Sequence, residues 1–306
     1  MNTAVVTGAT GFIGMALVRE LTHNGTKVYA IGHNLEKLKR LSFISGNITT
    51  ILADLSEDLT LDIPSDIDVF YHCAFEGGFS GEALKDYSLQ LKNAKIACNA
   101  VMCAVQRNAR KFVFTSTVNI VELQGFFGNP NFHPRYTCIY SAGKQAAEQI
   151  GKTLAWNYHM PFCTALIAMP YGEGNHARTL PNVVIQQLTS GVRPKLIEGN
   201  NLYDLIYISD VAAGLSAIGQ RGLNFKDYYL GHRKLKTFRD WMTGIRDILS
   251  PEAEMGFGEY PDAPAIDYDL IDLDAMYRNT GFECKVDFRE SILKTARWLK
   301  ENEDEA

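Results

Sequence analysis

Thr3-Ala4-Val5-Val6-Thr7-Gly8-Ala9-Thr10-Gly11-Phe12-Ile13-Gly14 opens the chain, and the reading of everything downstream follows from it. Thr3–Thr7 is a short apolar run of strand character, and Phe12–His23 places Ile13, Leu17, Val18 and Leu21 at helical spacing. Glycines at 8, 11 and 14 lie between strand and helix. Glycine there permits a tight turn, lets the backbone approach a pyrophosphate and lets helix pack on strand. The helix N-terminus adds free N–H groups and a positive dipole. A plain turn would also carry glycines. The position after an apolar strand favours a dinucleotide cradle made by Gly8, Thr10, Gly11, Phe12, Ile13 and Gly14.

Outward from that turn, strands and helices alternate. Lys27–Ile31, Ile48–Ala53, Val69–Cys73, Lys111–Thr115 and Phe162–Ala168 read as strands. Leu35–Leu41, Leu84–Asn108 and Tyr140–His159 read as helices, the last stopping before Pro161. The alternation predicts an α/β fold, a Rossmann-type doubly wound parallel sheet with a smaller C-terminal substrate lobe. The dinucleotide-binding domain is expected over 1–165, with 203–222 returning to it, and the substrate lobe mainly over 166–306. In that second part Pro170–Asn175 is a loop, Leu180–Thr189 a helix, Leu205–Ile208 a strand returning to the sheet and Asp210–Ile218 a helix. A Pro/Gly-rich connection spans Gly256–Pro264.

The end of the second strand bears on the choice of dinucleotide. An acidic side chain there holds the ribose 2′-hydroxyl of NAD. This chain has Gly32-His33-Asn34, with His33 and Lys37 as donors, which favours NADP(H) over NAD(H) as the cofactor. Asp54, followed by Leu55 after the third strand, is either an acceptor for the adenine amino group or a helix cap.

Composition excludes several classes. The charge is −5, from 30 basic and 35 acidic residues, with no basic stripe to displace phosphate counterions, so nucleic acid is not an expected partner. No apolar stretch is long enough to span a membrane, and the start lacks the form of a signal peptide, so a cytoplasmic protein is expected. The acidic end, Glu301–Ala306, reads as a solvated tail. Six cysteines without CxxC spacing read as structural thiols in a reducing compartment. The seven histidines form no HxxxH or HExxH pattern, and no metal site is expected.

Tyr140-Ser141-Ala142-Gly143-Lys144 carries the chemistry. A spacing of four puts phenol and ammonium on one helix face. A tyrosine titrates at about 10 in water, and a neighbouring ammonium favours the phenolate and brings that value toward working pH. Tyr140 then exchanges a proton with a carbonyl or hydroxyl oxygen while hydride moves at carbon. A chance amphipathic helix is the competing reading, and the glycine turn upstream weakens it.

With these motifs the chain resembles the extended short-chain dehydrogenase/reductase family, above all its nucleotide-sugar epimerases, dehydratases and reductases. The resemblance is carried by Thr7–Gly14, His72-Cys73-Ala74-Phe75, Phe112–Thr117, Tyr140–Lys144, the Tyr171-Gly172 loop and Tyr207–Ala212. It implies that Thr117, with Ser116 adjacent, bonds the reacting oxygen. It implies that Asn93 supports Lys144 through water, and that Ala74 and Phe75 meet the nicotinamide side of the cofactor. Asp210 reads as a helix cap.

Three departures bear on the substrate. Dehydratase relatives carry an Asp-Glu pair after the active-site Thr, where this chain has Val118-Asn119. Tyr203-Asp204-Leu205 stands where relatives hold the substrate diphosphate with an arginine, and Glu259-Tyr260-Pro261-Asp262 replaces a second arginine loop. Arg178, Arg193 and Arg233 are candidates to substitute, and spacing does not choose among them. The leading expectation is an NAD(P)-dependent 4-keto reductase of a nucleotide sugar. A 4-epimerase with retained NAD, a reductase of a non-sugar carbonyl and a non-catalytic cofactor sensor remain as alternatives. A homodimer is expected through the helices of 84–108 and 140–159, as in relatives; the apolar rows Ile96, Ala100, Cys103 and Ala146, Ile150, Leu154 permit it and equally permit packing against the sheet.

Overall fold

Strands whose two faces are both apolar must be covered by helices on both sides, and the chain supplies those helices in alternation. The computed structural model describes residues 1–41, 44, 46–57, 61–77, 81–126, 134–261 and 265–302, with the backbone alone for 124–126. The first half runs β1 (Thr3–Thr7), α1 (Phe12–His23), β2 (Lys27–Gly32), α2 (Leu35–Arg40), β3 (Ile48–Leu52) and β4 (Val69–His72). It continues through α3 (Tyr87–Gln106), β5 (Phe112–Thr117), α4 (Thr137–Asn157) and β6 (Phe162–Ile167). The second half runs β7 (Met169–Tyr171), α5 (Leu180–Thr189), β8 (Lys195–Leu196), β9 (Leu202–Tyr203), β10 (Leu205–Tyr207) and α6 (Ile208–Arg221). It ends with β11 (Lys226–Leu230), β12 (Lys236–Thr237), α7 (Phe238–Leu249), β13 (Gly256–Phe257), α8 (Ala275–Thr280) and α9 (Phe288–Glu301).

Seven strands form one sheet in the order β11-β6-β5-β4-β1-β2-β3, every pair parallel. The order reverses between β1 and β4, the crevice in which such sheets bind ligands at the strands' carboxyl ends. Thr7 and His72 are register partners at that crevice, so the Gly8 turn and the Ala74 loop leave the sheet side by side. One core cluster joins the sheet to the α1 and α6 side and runs on into the C-terminal part. The other fills the α3 and α4 side. Along β5 the alternation is visible: Val113 faces the first cluster, Phe112 and Phe114 the second. Phe70, Phe112 and Phe162 stack across three strands at centroid spacings of 5.5 and 5.3 Å.

Some expectations need correction. The strand that joins the sheet after β6 is β11, not Leu205–Ile208. β10 instead pairs with β7 in a two-stranded sheet of its own, and α6 is what packs back beside α1. β11 starts with Lys226-Asp227 and buries only Tyr228, Tyr229 and Leu230, too short a pattern to read as a strand. α4 begins at Thr137, one turn before Tyr140, because Cys138 is already buried on its inner face. Asp210 caps nothing: it sits inside the first turn of α6 and its carboxylate accepts from Lys285 N and Val286 N, both at 3.2 Å.

Of the two roles open to the apolar rows of α3 and α4, packing against the sheet is the one seen. Ile96, Ala100 and Cys103 lie in the core beneath α3, and Ala146 and Leu154 pack against the same cluster. Ile150 alone of the six is exposed. The connection Gly256–Pro264 contains β13, and its residues 262–264, with 303–306 of the tail, fall outside the described residues. Among the described residues no helix is long and apolar enough to cross a membrane, and no group of three or more His, Cys, Asp or Glu is arranged for a metal ion.

Candidate active site

Gly8 has φ +64°, and a Cβ there would stand 2.6 Å from Ala74 N. A Cβ on Gly14 would stand 2.1 Å from Gly8 O, so helix and turn touch backbone to backbone. The turn closes through Gly11 N donating to Gly8 O at 2.9 Å, and Ala9 N donating to Ile31 O ties it to β2. Gly11 is the N-cap of α1 and offers no side-chain oxygen, which leaves the first-turn N–H groups to an anion. A side chain at 8 or 14 would strike backbone, so only glycine lets turn, helix and β4 loop meet this closely, and the free N–H groups of the first turn suit a diphosphate.

At the rim, His33 is exposed, while Asn34 Oδ1 is committed to capping α2 through Lys37 N. Asp54 is exposed, and its carboxylate accepts from Ser56 N at 2.8 Å in a turn rather than at a helix start. That hydrogen bond holds its pKa below the usual carboxylate range. Leu55 beside it is buried.

Tyr140 and Lys144 lie on the buried face of α4, 7% and 5% exposed. Gly143 between them lets α3 approach: a Cβ there would meet Gln90 Cβ at 2.7 Å. Lys144 Nζ donates to Thr115 O at 2.9 Å and stands over the Phe75 ring, 3.8 Å from its centroid. Phe75 in turn meets the Tyr140 ring edge-on at 5.4 Å. Phenol, aromatic ring and ammonium therefore form one contiguous group beside the glycine turn.

Burial dominates the charges here. It brings the Lys144 ammonium down to about 7, against smaller opposing effects of Cys73 and Glu148, and pushes the Tyr140 phenol above its ordinary value. The expected lowering of the phenol by Lys144 is not seen: burial is what moves it, and it moves it up. His72, bonded to Thr7 Oγ1 through Nδ1 at 2.8 Å, is brought by burial and then by Lys144 to about 3 and stays neutral.

Asn93 is buried on the inner face of α3. Its Oδ1 accepts from Glu76 N and its Nδ2 donates to Glu76 O, both at 2.9 Å. The amide pairs with both backbone groups of Glu76 and so ties the loop carrying Ala74 and Phe75 to α3. Thr117 is buried at the end of β5, where its Oγ1 accepts from Asn119 N and Nδ2 at 3.2 and 3.1 Å. The hydroxyl keeps its own proton to donate.

The sequence model of the NAD dependent epimerase/dehydratase family matches residues 4–231, which contain the turn, the switch point and the pair. The chain belongs to that family. Membership makes it an oxidoreductase-type enzyme of the extended short-chain dehydrogenase/reductase group. It is 24% identical to a dTDP-glucose 4,6-dehydratase of Neisseria gonorrhoeae, over 97% of this chain and 95% of that one. In fold it is similar to the Bordetella bronchiseptica enzyme WbmF solved with NAD+, with a TM-score of 0.78 and 20% identity, covering 99% and 94% of the two chains. It is likewise similar to the UDP-glucose 4-epimerase of Thermotoga maritima solved with UDP-glucose, with a TM-score of 0.75 and 16% identity over 98% and 99%.

In this family member the C-terminal part spends its arginines internally. Arg193 pairs with Glu254 and Glu259, Arg239 with Glu198, and Arg233 with Asp274 while lying over the Tyr277 ring. Arg178 is exposed on the loop before α5. Asp204, noted only as a departure, is buried and accepts from Tyr229 Oη at 2.7 Å, His232 N at 2.7 Å and His232 Nδ1 at 2.8 Å. The sequence reading also missed Glu148, one turn beyond Lys144, which is buried and paired with Lys152. The i,i+4 spacing of Lys144, Glu148 and Lys152 was its one signal.

Proposed function

We propose that this enzyme uses NAD(H) to reduce a 4-keto group on a nucleotide-linked sugar, with Tyr140 as proton donor. The observation that carries the reading is the contiguous Tyr140–Phe75–Lys144 group near the switch point, next to a turn that only glycine can form. Bound nicotinamide would supply the hydride. Gly8, Gly11 and Gly14 would hold the diphosphate, Asp54 and Leu55 would meet the adenine end, and Ala74 and Phe75 would border the nicotinamide. The buried phenol holds its proton at neutral pH and so is ready to deliver it to a developing alkoxide. Thr117 would donate a hydrogen bond to the same oxygen.

The lean toward NADP(H) gives way to NAD(H) in this reading: the matching family is described as NAD dependent, and the similar WbmF structure was solved with NAD+. Relatives solved with nucleotides or nucleotide sugars supply the substrate class. A second reading, reduction of a carbonyl that bears no diphosphate, is favoured by the ion pairs that occupy Arg193, Arg233 and Arg239. We propose a homodimer through the outer faces of α3 and α4, where Tyr87, Leu91 and Ile150 stand exposed.

Incubation of the purified protein with NADH or NADPH and UDP- or dTDP-linked 4-keto-6-deoxyhexoses, followed by reduced-nicotinamide absorbance, tests the reading. Faster loss of NADH than NADPH with a nucleotide substrate is expected. Consumption with free keto compounds alone supports the second reading. Tightly retained NAD+ with epimer formation and no net consumption supports a 4-epimerase.

A further inference from the structure

Lys144 is a buried cation with no direct counter-ion among the described residues. Three titratable groups act on it, Glu148 on its own helix, His72 on β4 and Cys73 just after that strand, and Tyr140 lies one helical turn before it. Burial leaves His72 uncharged, at about 3, and pushes the Cys73 thiol up to about 12, so neither is an anion at neutral pH. Glu148 is engaged by Lys152 at 2.6 Å, and among the described residues no carboxylate makes an ion pair with Lys144. Apart from the Thr115 carbonyl, the ammonium is received by ring faces: Phe75 at 3.8 Å and, more distantly, Phe114 at 5.4 Å. An ammonium over an aromatic face within about 6 Å is attracted by the ring quadrupole, most strongly when water is excluded.

Phe75 is placed to serve two partners at once. It stands on the loop after β4, and that loop is clamped by the paired hydrogen bonds between Asn93 and the Glu76 backbone. We propose that Phe75 is a positioning residue for the acid–base pair: its face seats the Lys144 ammonium and keeps it charged, while the same ring meets Tyr140 edge-on and fixes the phenol beside it. The inference rests on the reading of Tyr140 and Lys144 under Proposed function, but its test does not depend on turnover.

The experiment follows the Lys144 ammonium directly, in the full chain carrying ¹³Cε-labelled lysine. The Lys144 signal is identified by its loss in Lys144→Met, and its chemical shift is titrated against pH. The wild type is expected to titrate near pH 7. Phe75→Leu keeps the apolar volume but removes the ring face, and its titration is expected about one pH unit lower. Phe75→Tyr keeps the face and is expected to match the wild type. A Leu variant that titrates with or above the wild type, or a Tyr variant that titrates with the Leu variant, overturns the proposal. Phe75→Met makes the same comparison if the Leu variant does not fold. A Tyr140→Phe enzyme with full turnover would sink the acid–base reading and leave the Phe75 result standing.

Discussion

Lys144 in the nucleotide-binding half is a buried base and His232 in the C-terminal part a half-buried one, and their surroundings move them in opposite directions. Lys144 meets a carbonyl and aromatic rings, so burial prevails and brings it to about 7. For His232 burial is also the largest single influence and also disfavours the charge. The hydrogen bond and the charge of Asp204 together overcome it, and its pKa ends above the ordinary histidine value. A charge with a fitted partner contributes to the fold. A charge without one costs stability and persists where chemistry needs it.

The largest expected effect that separates the two regions is on turnover. Tyr140→Phe should slow the reaction by about 10²–10⁴-fold, the range for losing a general acid, with little change in denaturant unfolding. If stability falls and the rate does not, the roles assigned to the two regions are reversed. Next in size, Asp204→Ala leaves His232 and the Tyr229 hydroxyl without their shared acceptor. A loss of about 3 kcal/mol in urea unfolding is expected. Lys144→Met should do the opposite, abolishing turnover while adding about 2 kcal/mol of stability at pH 6, since an unpaired buried charge is removed. A Met variant less stable than the wild type would show that ring contacts repay the whole cost of burying Lys144.

The smallest effect sharpens the comparison through pH. The folded pKa of Lys144 lies below its unfolded value of about 10.4. Its destabilising contribution is therefore complete below about pH 7 and fades as pH rises toward 10.4. The folded pKa of His232 lies above 6.5, so its stabilising contribution is complete below pH 6.5 and is lost as pH rises through the folded value. Urea midpoints across pH 5–10 should show the Lys144→Met advantage shrinking above pH 7, and the penalty of His232→Gln shrinking above pH 6.5. Parallel curves in both cases would remove the electrostatic basis of the contrast.

The same contrast explains what could be read in advance. The glycine turn and the Tyr140/Lys144 pair are local patterns, set within one turn and one helical repeat, and the β4 loop links them, with Ala74 against Gly8 and Phe75 against the pair. β11 was passed over because three buried residues carry no measurable period. The partners of Asp204 were out of reach because Tyr229 and His232 lie 25 and 28 residues away and meet it only in the folded chain. The two bonds of Asn93 to Glu76 depend on how the loop after β4 folds over α3.

By itself the sequence determined the alternation of strand and helix, the opening at the first turn and the face shared by phenol and ammonium, since each depends on backbone sterics and spacing over a few residues. Tertiary structure alone decided the state of those groups. Only the closing of α4, β5 and the β4 loop around Lys144 removes its water and places Phe75 against it, and burial and contact are properties of the assembled chain.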